Sequence, residues 1–261
     1  MDLFDLTGRT ALVTGGATGI GNMAARGLAA AGARVLIASR KGAACEAAAA
    51  EIDGAEGFAG DVATEGGCAA LAEEVGRRTD RLDILVNNAG RSWGGPLDEF
   101  PYDAWDKVMR LNVTGLFELT RRLLPMLEGA ATQAHPSRVV NLGSVMGEVP
   151  MGDGAYSYAA SKAAVHHLTR ILAKELSGRR VTVNALAPGP FVSNMTAFAT
   201  GEPAKRERVG AQVPLGRVGR PEDIAAALLY LCGPGGGYVT GAVIPVSGGI
   251  NVQTGPGIFD V

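Results

Sequence analysis

The sequence predicts an α/β fold built on one doubly wound parallel sheet, and three observations carry the prediction. Strand-like and helical stretches alternate along nearly the whole chain, a glycine-rich turn stands where the first strand meets the first helix, and no repeat or Pro/Ser-rich linker interrupts the order. With 261 residues, 47% of them hydrophobic and 19% charged, the chain is read as a single domain over 1–261 with one substantial core.

The first strand is the apolar run Thr10–Thr14, and the Ala-rich stretch after the glycine turn is helical through Ala31. The run Arg34–Ser39 then completes a βαβ unit. The tract from Ala47 to Ala50 favours helix. A helical pattern follows at 64–78, a strand at 82–86, helical stretches at 104–127, a strand at 138–142, the long helix Tyr156–Leu176 and a strand at 180–185. Two more helices, 204–213 and 221–231, precede a last strand at 242–246. Segments 188–195 and 214–219 carry Gly and Pro and break the pattern, so 188–219 is read as a substrate lid.

A net charge of −2 gives no excess of cations for a phosphate backbone, so nucleic-acid binding is not expected. No stretch reaches the roughly 18 apolar residues that span a bilayer, and residues 1–9 lack a basic start and apolar run, so a cytoplasmic protein without a membrane partner is expected. Cys45, Cys68 and Cys232 are widely spaced and read as small buried side chains rather than disulfide or zinc ligands. No His, Cys and carboxylate cluster has metal-site spacing, and no metal is expected. His135 falls in a polar loop, and His166 and His167 read as packed or surface helix residues.

The turn Thr14-Gly15-Gly16-Ala17-Thr18-Gly19-Ile20-Gly21 has the strand-to-helix context of a dinucleotide site. Its glycines let the backbone approach a pyrophosphate, and the helix start offers unpaired N–H groups and a positive dipole end. At the end of the second strand an acidic residue would accept both ribose hydroxyls and repel a 2′-phosphate. Ser39-Arg40-Lys41 stands there instead, with no carboxylate before Glu46. Arg40 can fork onto a phosphate, so NADP(H) is expected over NAD(H) unless Arg40 and Lys41 form only a solvated loop.

Tyr158 and Lys162 are four residues apart in a helical stretch and leave one face a turn apart. Bringing a phenol from a pKa of about 10 to neutrality takes about 4 kcal/mol of differential stabilisation, which a nearby ammonium and an oxidised nicotinamide can supply. Tyr158 then exchanges a proton with a carbonyl or alcohol oxygen. Tyr156 has Ala160 at i+4 and no cation, and is set aside. Ser144 follows the strand at 138–142 and places a hydroxyl outside the carboxyl end of the sheet.

These motifs together resemble the short-chain dehydrogenase/reductase family over essentially the whole chain. The glycine turn, Asp61-Val62, Asn87-Asn88-Ala89-Gly90, Asn112, Ser144, Tyr158 to Lys162 and Pro188-Gly189 stand in the family's order and approximate spacing. The resemblance implies a Rossmann-type domain in which Tyr158 is the general acid/base. It also implies that Lys162 lowers the Tyr158 pKa and holds the ribose, that Ser144 steadies the substrate oxygen, and that Asn112 holds a water in a proton relay. By the same resemblance Gly15, Thr18, Gly19, Ile20 and Gly21 cradle the pyrophosphate, with Arg40 and Lys41 near the 2′-phosphate and Asp61 and Val62 at the adenine. Asn87, Ala89 and Gly90 line the cofactor and brace the sheet; Pro188, Gly189, Phe191 and Ser193 sit near the nicotinamide. Ser193 replaces the Thr usual there, and Thr18 a basic residue common in NADP-dependent members.

Within the family the chain is most similar to bacterial β-ketoacyl reductases of the rhamnolipid-associated type, on Ser92-Trp93-Gly94, the spacing from Ser144 to Tyr158 and Ile244-Pro245-Val246. The expected activity is reduction of a ketone or 3-oxoacyl thioester. The alternatives are an alcohol dehydrogenase working oxidatively and a catalytically silent NADP(H)-binding protein, whose mark would be loss of Tyr158, Lys162, Ser144 or Asn112. The basic run Lys205, Arg206 and Arg208 is a solvated helix face or, less simply, a contact for an acidic carrier protein. By resemblance the assembly is a homotetramer or dimer, and the tail 251–261 is a candidate cover for a neighbouring subunit's site.

Overall fold

Strand and helix alternate in the computed structural model, which describes residues 2–152 and 154–252. The strands are β1 (Thr10–Thr14), β2 (Arg34–Ser39), β3 (Ala55–Ala59), β4 (Ile84–Asn87), β5 (Ser137–Leu142), β6 (Val181–Pro188) and β7 (Val243–Val246). The helices are α1 (Gly19–Ala30), α2 (Gly42–Ala49), α3 (Glu65–Arg78), α4 (Tyr102–Met109), α5 (Leu116–Ala130), α6 (Tyr156–Leu176), α7 (Ala197–Thr200), α8 (Pro203–Ala211) and α9 (Pro221–Cys232). All paired strands run parallel in the order β3-β2-β1-β4-β5-β6-β7. This is the doubly wound Rossmann-type architecture.

Side chains alternate between the two sheet faces, and both faces are covered, which is why the strands read as nearly continuous apolar runs. Val13, Ile37, Val86 and Val140 join Leu28 of α1 and Leu228 of α9 in one core. Leu12, Leu36, Leu85 and Val139 join Leu71 of α3, Leu123 of α5 and Leu172 of α6 in the other. Cys45, Cys68 and Cys232 are buried free thiols; burial raises Cys68 to about 11 and Cys232 to about 12, so both stay protonated at neutral pH.

The winding order reverses between β1 and β4. Loops leaving the carboxyl ends of these two strands part from each other, and the crevice between them is where such sheets take ligands.

Several elements depart from the sequence reading. α2 reaches back to Gly42, and β3 carries no strand signal, being five residues at the sheet edge with a glycine inside. Gly57 is needed because a Cβ there would stand 2.1 Å from the Cys45 carbonyl, where α2 lies on the strand. The helical stretch at 104–127 is interrupted by a π-helical segment, Arg110–Gly115, which carries Asn112 inward. A Cβ on Gly115 would meet the Val62 carbonyl oxygen at 1.8 Å, so the bulge presses on the loop after β3. β6 runs on to Pro188, which moves that residue from the lid to the end of a strand. Of the tail 251–261, residues 253–261 lie outside the described residues.

Candidate active site

A cleft of about 510 Å³ runs along the carboxyl ends of the central strands. At one end is the glycine turn. Gly15 and Gly19 have φ of +65° and +56°, the left-handed region that glycine adopts without strain. A Cβ on Gly21 would sit 2.3 Å from the Gly15 carbonyl oxygen, so the start of α1 folds tightly under the turn. No side chain caps α1 at Thr18, which leaves its first N–H groups for an anion.

Asn88 holds this turn against β4. Its Nδ2 donates to the carbonyls of Thr14 (2.8 Å) and Gly15 (3.1 Å), while the Thr14 hydroxyl accepts from the N–H groups of Asn88 and Ala89. Sequence reasoning passed over Asn88 in favour of its neighbour Asn87, although the doubled amide was the available signal. Asn87 points away from the cleft. Its Nδ2 donates to Thr120 Oγ1 and Asn141 Oδ1, and Asn141 donates to Thr169. Asn87 therefore braces the buried centre of the sheet, and Asn88, Ala89 and Gly90 line the crevice.

Gly15, Thr18, Gly19 and Ile20 line the cleft; Gly21 lies beneath it. Arg40 and Lys41, exposed at the end of β2, face the same space as Asp61 and Val62 after β3. Pro188, Gly189, Phe191 and Ser193 complete the lining. The lid meets the glycine turn there, since a Cβ on Gly19 would come within 3.0 Å of Ser193 Cβ. Ser193 and Thr196 hydroxyls pair at 3.0 Å, and Thr196 donates to the Phe191 carbonyl at 2.6 Å, which fixes the first lid turn. Asn194, Met195 and Thr196 also line the cleft and were not anticipated, because a lid's register follows only from folding.

Ser144, Tyr158 and Lys162 converge in the same cleft. Ser144 follows β5 and caps a short 3-10 turn, its Oγ accepting from the Met146 N–H at 3.2 Å. Tyr158 and Lys162 share a face of α6, with Lys162 Nζ 5.6 Å from the centre of the Tyr158 ring. Tyr156, set aside for want of a cation, packs edge-on against Phe100, 5.2 Å away. Burial raises the Tyr158 phenol above its ordinary 10, and the hydrogen-bonded Ser144 hydroxyl draws it partway back. The sequence reading gave Lys162 the lowering role, but its Nζ donates to the Leu142 carbonyl at 2.6 Å and burial lowers its own pKa from 10.5 to about 8. Burial is thus the largest influence on both residues.

Asn112 lies beside this group without lining the cleft. Its two amide hydrogens go to the Arg91 carbonyl and Ser161 Oγ, both at 2.9 Å, and its Oδ1 accepts from the Arg91 N–H. Only the second lone pair of Oδ1 is left on that side chain for the water the resemblance assigns to it. Among the remaining candidates, Lys205 pairs with Glu202 and Arg206 donates to the Thr200 carbonyl, so the basic run is largely a solvated helix face. His135 and His167 are exposed and His166 is buried. Among the described residues no His, Cys, Asp and Glu group is placed to hold a metal, and no helix is long and apolar enough to cross a membrane.

This crevice and side-chain set define a nucleotide-dependent oxidoreductase of the doubly wound class. The chain belongs to the short-chain dehydrogenase/reductase family: a family model described as enoyl-(acyl carrier protein) reductase matches residues 15–251. It is 48% identical over 252 residues to the rhamnolipids biosynthesis 3-oxoacyl-[acyl-carrier-protein] reductase of Pseudomonas aeruginosa, covering 95% of this chain and 98% of that protein. It is 41% identical to galactitol 2-dehydrogenase (L-tagatose-forming) of Cereibacter sphaeroides, covering 96% and 98%. The RhlG/NADP active-site complex from Pseudomonas aeruginosa superposes with a TM-score of 0.93 at 47% identity, covering 96% of this chain and 99% of that one.

Proposed function

We propose that the protein is a cytoplasmic NADP(H)-dependent carbonyl reductase whose substrate is a 3-oxoacyl thioester or a related ketone. One observation carries the proposal. Ser144, Tyr158 and Lys162 converge in a crevice whose opposite end carries Arg40 and Lys41 and, at the end of β2, no carboxylate. The crevice also fits a dinucleotide physically, since Gly15 and Gly19 line it and the first N–H groups of α1, left uncapped by the Thr18 side chain, are free for a pyrophosphate. The relatives named as a 3-oxoacyl reductase and as an NADP complex support the substrate class and the cofactor.

A bound nicotinamide supplies the hydride. Tyr158, a phenol that is neutral at pH 7 and that burial holds more firmly so, gives its proton to the carbonyl oxygen as charge develops there. Ser144 holds the same oxygen with its hydroxyl. The Lys162 ammonium, with a pKa of about 8, is still mostly charged at neutral pH; it fixes the Leu142 carbonyl and offsets the phenolate left behind. Arg40 and Lys41 hold a 2′-phosphate. Val145, which follows Ser144, packs with Val149, Val213 and Ile250, so the end of the lid has an apolar seat on the turn after β5.

The galactitol dehydrogenase relative favours a second reading, oxidation of a secondary alcohol by the same residues in reverse. Steady-state rates in both directions separate the two. The assembly is read as a homotetramer or a dimer, to be measured by sedimentation. The deciding assay follows NADPH and NADH consumption with acetoacetyl and longer β-ketoacyl thioesters, β-ketoesters and aryl ketones. NADPH-dependent turnover that drops about 10³-fold or more in Tyr158→Phe, with NADPH still bound, is expected. Equal turnover by the Phe variant, or a preference for NADH, overturns the assignment.

A further inference from the structure

α6 continues the spacing of its reacting pair. Tyr158, Lys162 and His166 follow at i, i+4 and i+8, on the face turned to the exit of β5. His166 is 3% exposed and fills the space beneath the loop that carries Ser144. A Cβ on Gly143 would stand 2.1 Å from its Nε2, and one on Gly147 2.9 Å from its Cε1, so the chain on both sides of Ser144 is moulded to the imidazole.

The ring's polar atoms fix its tautomer. Nε2 accepts from the Ser144 backbone N–H at 3.4 Å, so the proton of the neutral ring is on Nδ1. Nδ1 is buried, makes no well-aligned hydrogen bond, and lies 3.5 Å from Glu148 Oε1 just beyond the 3-10 turn. Burial and the positive charges of Lys162 and Arg170 lower the His166 pKa to about 4, which keeps Nε2 free to accept at neutral pH. One turn earlier Lys162 grips the Leu142 carbonyl. The helix that carries Tyr158 therefore holds the Leu142-Gly143-Ser144 backbone at two points one turn apart.

We propose that His166 is a positioning residue for Ser144: its imidazole, oriented by Glu148, fixes the Ser144 backbone so that the Ser144 hydroxyl meets the reacting oxygen beside Tyr158. The inference rests on the reductase reading. A structural filler needs only the ring's volume, whereas this role needs an acceptor at Nε2 and a donor at Nδ1. A mobile Ser144 slows the chemical step while the dinucleotide end of the crevice is untouched.

The test compares His166→Leu, His166→Gln and Glu148→Ala with the wild type, using a ketone with NADPH and the matching alcohol with NADP. It reads kcat, KM, NADPH affinity by fluorescence, thermal melting, and the isotope effect with NADPH deuterated at the transferred hydrogen. His166→Leu is expected to lower kcat about 10- to 100-fold, leave NADPH affinity within about twofold, and raise the isotope effect as chemistry becomes limiting. His166→Gln, which keeps an acceptor and a donor, recovers most of that loss. Glu148 is partly exposed, so Glu148→Ala folds in any event and lowers kcat several-fold. Wild-type kcat in Glu148→Ala or His166→Leu overturns the proposal, as does a Gln variant as slow as the Leu variant with an unchanged isotope effect. A wild type inactive in both directions overturns the reductase reading instead.

Discussion

At the glycine-turn end of the crevice the working groups are main-chain atoms, and at the reacting end they are buried side chains. The turn keeps Gly15, Gly19 and Gly21 where a Cβ would strike main chain or force a strained φ, and it needs no buried charge. Around α6 the arrangement inverts. Lys162, His166 and Ser144 are almost wholly buried, and each is placed by a hydrogen bond to or from the chain leaving β5. A backbone cradle is therefore limited by shape and a buried polar cluster by desolvation. Substitutions at the first end should act through binding and folding, and at the second through turnover, with stability moving the opposite way.

Lys162→Met tests the sharpest form of that contrast. Turnover should fall by about 10³-fold, since the phenolate left on Tyr158 loses its cation. Stability should rise by roughly 2 kcal/mol at pH 7, because a lysine held near 8 instead of 10.5 costs the folded state about 3 kcal/mol, partly offset by its bond to Leu142. Below pH 8 this cost is complete. Between pH 8 and 10.5 the unfolded chain binds more protons than the folded one, so wild-type stability climbs with pH and the variant's advantage fades. Urea unfolding of both proteins at pH 7 and pH 10 reads the sign; a variant less stable at pH 7 would break the comparison.

Gly21→Ala probes the other end. Its Cβ would be driven to 2.3 Å from the Gly15 carbonyl oxygen, so NADPH affinity should fall about 100-fold in fluorescence titration. Any residual turnover should keep the wild-type pH profile. An unchanged affinity would mean that the turn does not set the binding geometry.

The smallest effect is expected from Arg40→Asp, on an exposed side chain with no packing role. The ratio of kcat/KM for NADPH over NADH should drop by about 10- to 100-fold, the worth of one charge-assisted phosphate contact replaced by repulsion. Melting temperature should hold within about 2 °C. An unmoved ratio would take the 2′-phosphate away from the end of β2.

Those contrasts follow what was legible along the chain. The glycine turn, the Tyr158 and Lys162 spacing and Ser144 after a strand are local patterns, fixed by helix and strand periodicity, and they identify residues that the structure gathers in one cleft. β3 was missed because an edge strand with a glycine inside carries little periodicity. Asn87 keeps the expected bracing role while Asn88, which was given none, faces the crevice, because adjacent side chains on an extended segment point opposite ways and only the neighbours decide which faces the crevice. His166 read as inert because nothing in its own helix marks the loop that folds over it.

The sequence by itself determined the alternation and the parallel sheet, and it singled out the glycine turn and the side chains proposed to react, since each depends on residues close together in the chain. Tertiary structure alone decided which of them are desolvated, which amide faces the crevice and what lies over His166. Desolvation and hydrogen-bond direction depend on atoms brought together from distant segments, and no local pattern contains them.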